Sequence, residues 1–250
     1  MLLRGVLLPF AVLLAMAFGA CGHGPNAPDA SMSPSSGQRQ TCRVYAAALT
    51  LANTSGTFSS TVTLAGAYST STNQLTYAGS YSDSLGCAIP WDLVTNYSSV
   101  ADFVDETRVV PPLTRSTGST ATTTDARCDR ITVTASHSYD SQGRLIRIVT
   151  VSSPGGTETR NYTTWDSVGR PTGGTISSAG NTRTHSLSYD DAARTVTITG
   201  GINTGGIGPQ SVETETYDSS GILLRKVTTV LGSTVITSTV TTTSTNRVCR

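Results

Sequence analysis

Four aromatic–aspartate pairs recur along the second half of the chain: Tyr139-Asp140, Trp165-Asp166, Tyr189-Asp190 and Tyr217-Asp218, spaced 26, 24 and 28 positions apart. Three residues after each Asp stands Gly143, Gly169, Ala193 or Gly221, followed by Arg144, Arg170, Arg194 or Ile222. Asp-x-x-Gly specifies a tight turn, because the carboxylate accepts a hydrogen bond from backbone two residues on and Gly tolerates positive φ. Either side of each corner has strand character. In Ile131-Thr-Val-Thr-Ala-Ser-His-Ser-Tyr139 the residues Ile131, Val133, Ala135 and Tyr139 share one face and hydroxyl residues the other. Arg144 to Val151 reads as the returning strand, and Pro154-Gly155-Gly156 turns the chain again. A lone hairpin is not stable in water, so units repeating at this period must stack on one another.

The rest of the chain agrees with an all-β protein. It holds 43 Thr and 32 Ser among 250 residues, and Thr suits a pleated strand whereas Ser and Gly suit turns. Thr195-Val-Thr-Ile-Thr and Thr234 to Thr243 alternate as strands do, and so do stretches within 42–97, such as Thr61 to Tyr68 and Gln74 to Tyr81. One helix is expected, opened by the capping box Ser99-Val-Ala-Asp102 and running through Asp105. Pro111-Pro112 to Thr124 reads as a linker or exposed loop. The expected fold is stacked antiparallel hairpins in a curved sheet or sandwich, with one short helix near 99–106.

Tyr-Asp-Ser-Gln-Gly-Arg-Leu at 139–145 and Trp-Asp-Ser-Val-Gly-Arg-Pro at 165–171 resemble the YD repeat of the Rhs family, whose units carry a Tyr-Asp-x-x-Gly-Arg-Leu core. The resemblance covers roughly residues 131 to 230. It implies hairpins coiled into a β-sheet shell, which in long members encloses a toxic C-terminal domain or forms an extracellular stalk. Four hairpins supply about eight strands, too few for a hollow shell to close around cargo, so a sheet or sandwich is expected instead. The sequence runs to Arg250 without a following effector domain, and the toxin role is not expected to carry over.

Residues 1–20 read as a secretory signal peptide: Met-Leu-Leu-Arg, an apolar run from Val6 to Phe18, then small residues before Cys21. The run falls short of the roughly 20 residues that span a bilayer. Phe18-Gly19-Ala20-Cys21 resembles the lipobox of bacterial lipoproteins, although Phe18 stands where Leu is usual. The resemblance implies lipidation at Cys21, and Gly22 in place of an Asp favours the outer membrane. Ordinary cleavage after Ala17, giving a secreted protein, is the alternative. Residues 21–41 have almost nothing apolar to bury and read as a flexible tether.

Setting Cys21 aside leaves Cys42, Cys87, Cys128 and Cys249, an even number that in an exported chain predicts two disulfides. Three connectivities are open. The preferred one pairs Cys42 with Cys87 and Cys128 with Cys249, stapling an N-terminal β-rich module at 42–127 and a repeat region at 128–250. A zinc site is the rival, but no cysteine pair has the close spacing zinc ligands show.

No reaction centre stands out, and no cofactor or metal is expected. Gly-x-Ser-x-Gly is missing, and the cysteines are expected to be oxidised. His137 and His185 precede Tyr-Asp corners by two and four residues and read as strand-packing positions. Asp102, Asp105 and Glu106 read as a helix surface, and Glu213 and Glu215 as the solvated face of a strand, although either group could be searched for the paired carboxylates of glycoside hydrolysis. Asp140, Asp166, Asp190 and Asp218 could bind calcium if brought together, but turn duty accounts for each. Trp91, Trp165 and nine Tyr could stack on sugars; packing in a lean core is the commoner use. A net charge of +1 argues against nucleic acid as partner.

These readings converge on a non-catalytic, lipid-anchored protein of the cell envelope with a structural or adhesive role. Its expected partners are the membrane, through its anchor, and an envelope glycan or another surface protein. The alternatives are a glycan-binding surface module, which requires clustered exposed rings, and a hydrolase of envelope polymers, which requires two converging carboxylates.

Overall fold

The computed structural model describes residues 41–106, 115–124, 128–200, 211–230 and 234–250. The expected signal peptide, Cys21 and all but the last residue of the expected tether lie outside the described residues.

The chain forms fourteen strands: β1 (Cys42–Ser55), β2 (Phe58–Ser69), β3 (Gln74–Asp83), β4 (Ala88–Asn96), β5 (Gly118–Thr124), β6 (Arg130–Tyr139), β7 (Leu145–Ser153), β8 (Thr157–Trp165), β9 (Pro171–Ser178), β10 (Asn181–Asp190), β11 (Thr195–Gly200), β12 (Ser211–Tyr217), β13 (Leu223–Val230) and β14 (Thr234–Cys249). Each pairs antiparallel with its neighbours in sequence, and β14 pairs back onto β1, so the meander closes into a barrel. This corrects the open sheet or sandwich. The strands of 42–97 and β5 join the same ring as the hairpins of 131–230, so all fourteen strands share one closure. Part of the expected loop at 111–124 is likewise a strand: β5 bridges β4 and β6, its Thr120 lying between Val94 and Thr134.

The one helix among the described residues, α1 (Val100–Asp105), falls where the capping box placed it. The Ser99 hydroxyl accepts from the Asp102 amide at 3.1 Å, and Phe103 and Val104 turn inward.

Strand alternation assigns the two faces. On β2, Phe58, Ser60, Val62 and Leu64 are buried while Ser59, Thr61, Thr63, Ala65 and Ala67 are exposed. On β6, Ile131, Val133 and Ala135 are buried and Thr132, Thr134, Ser136 and Ser138 exposed. Outward hydroxyl residues line up across strands, as in the rows Ser59–Thr54–Thr237 and Thr63–Thr50–Thr241. A membrane barrel is built the other way, with an apolar band outside and a polar lumen. On these strands the apolar residues point into the lumen and hydroxyl residues point out. No helix among the described residues is long and apolar enough to cross a membrane.

An even number of antiparallel strands returns the chain to the end from which it set out. The proximal rim therefore carries the start of β1 and the end of β14, together with α1 and all four aromatic–aspartate corners. The distal rim carries the β1–β2, β3–β4, β7–β8 and β9–β10 turns. Pairing of the four cysteines also differs from the preferred one. Cys42 bonds Cys249 across the closing seam, and Cys87 bonds Cys128 at the distal rim. The preferred pairing staples two regions separately, but ring closure places the start of β1 beside the end of β14. In the chain-entropy model, closing loops of 207 and 41 residues contributes about 5 and 4 kcal/mol.

Candidate functional site

The corners form a ladder along the proximal rim. In the first, the Gln142 and Arg144 amides both donate to Asp140 Oδ1 at 2.9 Å, and the Gly143 amide donates to the Asp140 carbonyl. Gly143 sits at φ 74°, a conformation a side chain disfavours. Asp166 with Gly169 and Asp218 with Gly221 repeat this geometry. The Asp140 carboxyl is held below the usual carboxylate range, chiefly by the Arg144 amide. At the third corner Ala193 replaces the glycine, and the positive φ passes to Arg194 at 54°.

What the motif residues do between repeats is not visible in a single copy. Asp140 Oδ2 accepts from Arg144 Nε at 2.7 Å, and that guanidinium lies 4.3 Å over the ring of Trp165 in the next corner. Arg170, held by Asp166 in the same way, lies 4.2 Å over Tyr189. Each ring in turn donates to the preceding repeat: Trp165 Nε1 to the Leu145 carbonyl at 3.0 Å, and the Tyr189 hydroxyl to the Pro171 carbonyl at 2.7 Å. Aspartate fixes arginine, arginine covers the next ring, and the ring bonds back. The two links shown join the first three corners; at the fourth the Tyr217 hydroxyl turns to Glu215 and Ile222 stands in the arginine position. A further corner of the same geometry occurs at the distal rim, where Asp83 Oδ1 accepts from the Leu85 and Cys87 amides and Gly86 takes φ 85°. Its signal was present in the sequence as Asp83-Ser-Leu-Gly86.

The lumen holds a charged cluster that sequence reading placed outside. Glu213 and Glu215 do alternate on one face of β12, but that face is inward, and Glu213 is 1% exposed. Lys226, directly opposite Glu215 on β13, brings its Nζ to 2.6 Å from Glu213 and 3.3 Å from Glu215. Burial pushes the Glu213 carboxyl above its ordinary value, against the lowering effect of Lys226, and the Tyr217 phenol is raised by burial and by Glu215. The reading as a solvated face is thus corrected: the acidic pair is buried with a lysine from the adjacent strand bridging its two carboxyls. Arg160 of β8, paired with Glu158 at 2.8 Å, also lowers Glu213. Nearby, His185 packs edge-on to Tyr162 with neither ring nitrogen bonded, and burial together with Arg160 lowers it to about 4.

A second network closes the proximal mouth. Arg43 of β1, fully buried, donates to Glu106 at 2.8 Å and to the Phe103 carbonyl at 2.9 Å, with its guanidinium 4.1 Å over the Phe103 ring. Tyr97 donates to Glu106 at 2.6 Å, and Tyr68 stacks on Phe103. Glu106 is therefore not on a helix surface; its side chain is buried and burial raises its carboxyl, opposed by Arg43. Asp105 meets Arg250 at 2.6 Å, while Asp102 returns to Ser99.

His137 and His185 lie on β6 and β10, and His137 bonds Ser116. Trp91 and six of the tyrosines (45, 77, 81, 97, 162 and 217) are buried, and the half-buried Trp165 and Tyr189 are covered by arginines. Clustered exposed rings are therefore not found among the described residues. Nor do three His, Cys, Asp or Glu side chains gather there as a metal site would need.

No family model matches the chain. No curated protein matches it either. Among solved structures, the crystal structure of a porin-like protein from Bacteroides uniformis matches over 78% of this chain and 96% of that chain, at 12% identity and a TM-score of 0.35.

Proposed function

We propose that the protein is an exported, lipid-anchored component of the cell envelope, in which a water-facing barrel serves a structural or adhesive role without catalysis. The observation that carries this reading is the closed ring with apolar residues inside, hydroxyls outside and two disulfides. Disulfides persist in oxidising compartments outside the cytoplasm. A closed ring also offers no strand edge to an unwanted partner. Thr41 lies at the proximal rim, so a lipid at Cys21, in the lipobox-like Phe18 to Cys21, would hold that rim toward the membrane and present the distal turns outward. The buried Glu213–Glu215–Lys226 cluster reads as a structural ion pair, since a polymer chain cannot reach it through an intact wall.

The test is expression of the full chain in a Gram-negative host fed an alkyne fatty acid. Label is expected on the wild type and lost in Cys21→Ser, and non-reducing mass spectrometry should find both bridges. Unlabelled wild type cleaved after Ala17 would refute the anchor, and free thiols would refute the compartment.

A further inference from the structure

The ends of β1 and β14 form a structure distinct from the ring they close. β1 pairs with β2 only from Ala48 onward, and β14 pairs with β13 only through Thr239. Beyond those points Cys42–Ala46 and Thr245–Cys249 pair with one another alone, set off from the rest of the seam by register shifts around Ala48. The result is a two-stranded flap whose ladder is of a kind that is marginal by itself in water, and whose inner side chains, Arg43, Tyr45 and Ala46, are buried against the core. It is tied at its tip by the Cys42–Cys249 bond.

The flap carries what holds α1 in the proximal mouth. Arg43, next to Cys42, makes the buried ion pair with Glu106 and the bond to the Phe103 carbonyl. Tyr45 packs edge-on against Phe103. Arg250, next to Cys249, reaches Asp105. Each residue flanking the bridge on the inner or terminal side thus grips the same helix, and beyond the helix lie Tyr68, Tyr97 and the core.

We propose that the Cys42–Cys249 bond is a redox latch on this flap, so that oxidation closes the proximal mouth and reduction releases α1 while the ring stays intact. In closing, the two thiols lose two electrons and two protons to a disulfide-bearing oxidant, which leaves as two thiols. In opening, a dithiol reductant is oxidised to its disulfide, and exchange enters at Cys249, the more exposed of the two cysteines. The latch stands whether or not Cys21 is lipidated.

Hydrogen exchange by mass spectrometry on the purified full chain tests it. In Cys42→Ser/Cys249→Ser, amides of 42–46, 100–106 and 245–249 should exchange about tenfold faster or more, while β6 to β11 keep their wild-type protection. Cys87→Ser/Cys128→Ser, which cuts the distal bond, should leave α1 protected. Rates in the flap and α1 within about twofold of wild type would overturn the latch, because pairing alone would then hold the flap. Loss of protection throughout the ring would overturn it equally, because the bond would then hold the whole barrel. If the double serine variant does not fold, titrating the native wild type with dithiothreitol gives the same readout: local release supports the latch, whereas global release or none refutes it.

Discussion

Replacing Lys226 with methionine keeps the side chain's length and apolar stem but strips the ammonium from a site 2% exposed, leaving Glu213 and Glu215 facing each other in the lumen. Removing one partner of a buried ion pair typically costs about 3–5 kcal/mol, set against about 5–15 kcal/mol for a whole domain. The cost should depend on pH in a definite direction. Burial already raises the Glu213 carboxyl, and losing the lysine raises it further. The folded variant then binds a proton that the unfolded chain releases. Its stability is best preserved below the ordinary carboxylate range and falls as pH rises through the folded value. Urea unfolding of the oxidised protein at pH 5 and pH 8 should show a deficit that is larger at pH 8. Lys226→Met/Glu213→Gln, which leaves one carboxyl bonded to Tyr217, should recover most of it. A single variant within about 1 kcal/mol of wild type at pH 8, or with equal deficits at both pH values, would refute the buried-triad reasoning.

Other outcomes follow from particular contacts. His185→Leu should flatten the loss of stability that the wild type shows as pH falls from about 6.5 toward about 4, because a buried imidazole lowered to about 4 leaves the unfolded chain holding more protons in that window; unchanged acid unfolding would count against it. Gly174→Ala should destabilise by about 2 kcal/mol or more, since a methyl there would lie 1.9 Å from the Asn161 carbonyl oxygen, whereas Gly156→Ala, with nothing within 4 Å, should be neutral in a thermal melt. Arg170→Ala, at a side chain largely buried between Asp166, Asp191 and Tyr189, should cost about 1–3 kcal/mol and Arg144→Ala about 1 kcal/mol or less, with the Trp165 fluorescence shifting only in the latter.

The corners and the faces of the strands were legible in the sequence because they are local. An Asp-x-x-Gly turn needs only four residues to state itself, and the alternation of Ile131, Val133 and Ala135 with hydroxyls needs only one strand. Ser99 and Asp102 likewise announce α1. Closure was not legible, because nothing near Cys42 or Cys249 says that residues 207 positions apart are neighbours. The same blindness put Glu213 and Glu215 on the solvent side. Their spacing shows that they share a face, and only Lys226 arriving from the next strand decides which face a pair of carboxylates can take. Arg144 is a comparable case: within its own repeat it is a turn residue, and only the following corner reveals the ring beneath it.

Fourteen is an even number, and that parity has a practical consequence. Thr41 and Arg250 stand side by side, exchanging backbone hydrogen bonds, so a passenger joined at either point would sit on the same side of the molecule. On the opposite rim the β1–β2, β7–β8 and β9–β10 turns, which the Cys87–Cys128 bond does not tie, could then be lengthened, exchanged or tagged one at a time.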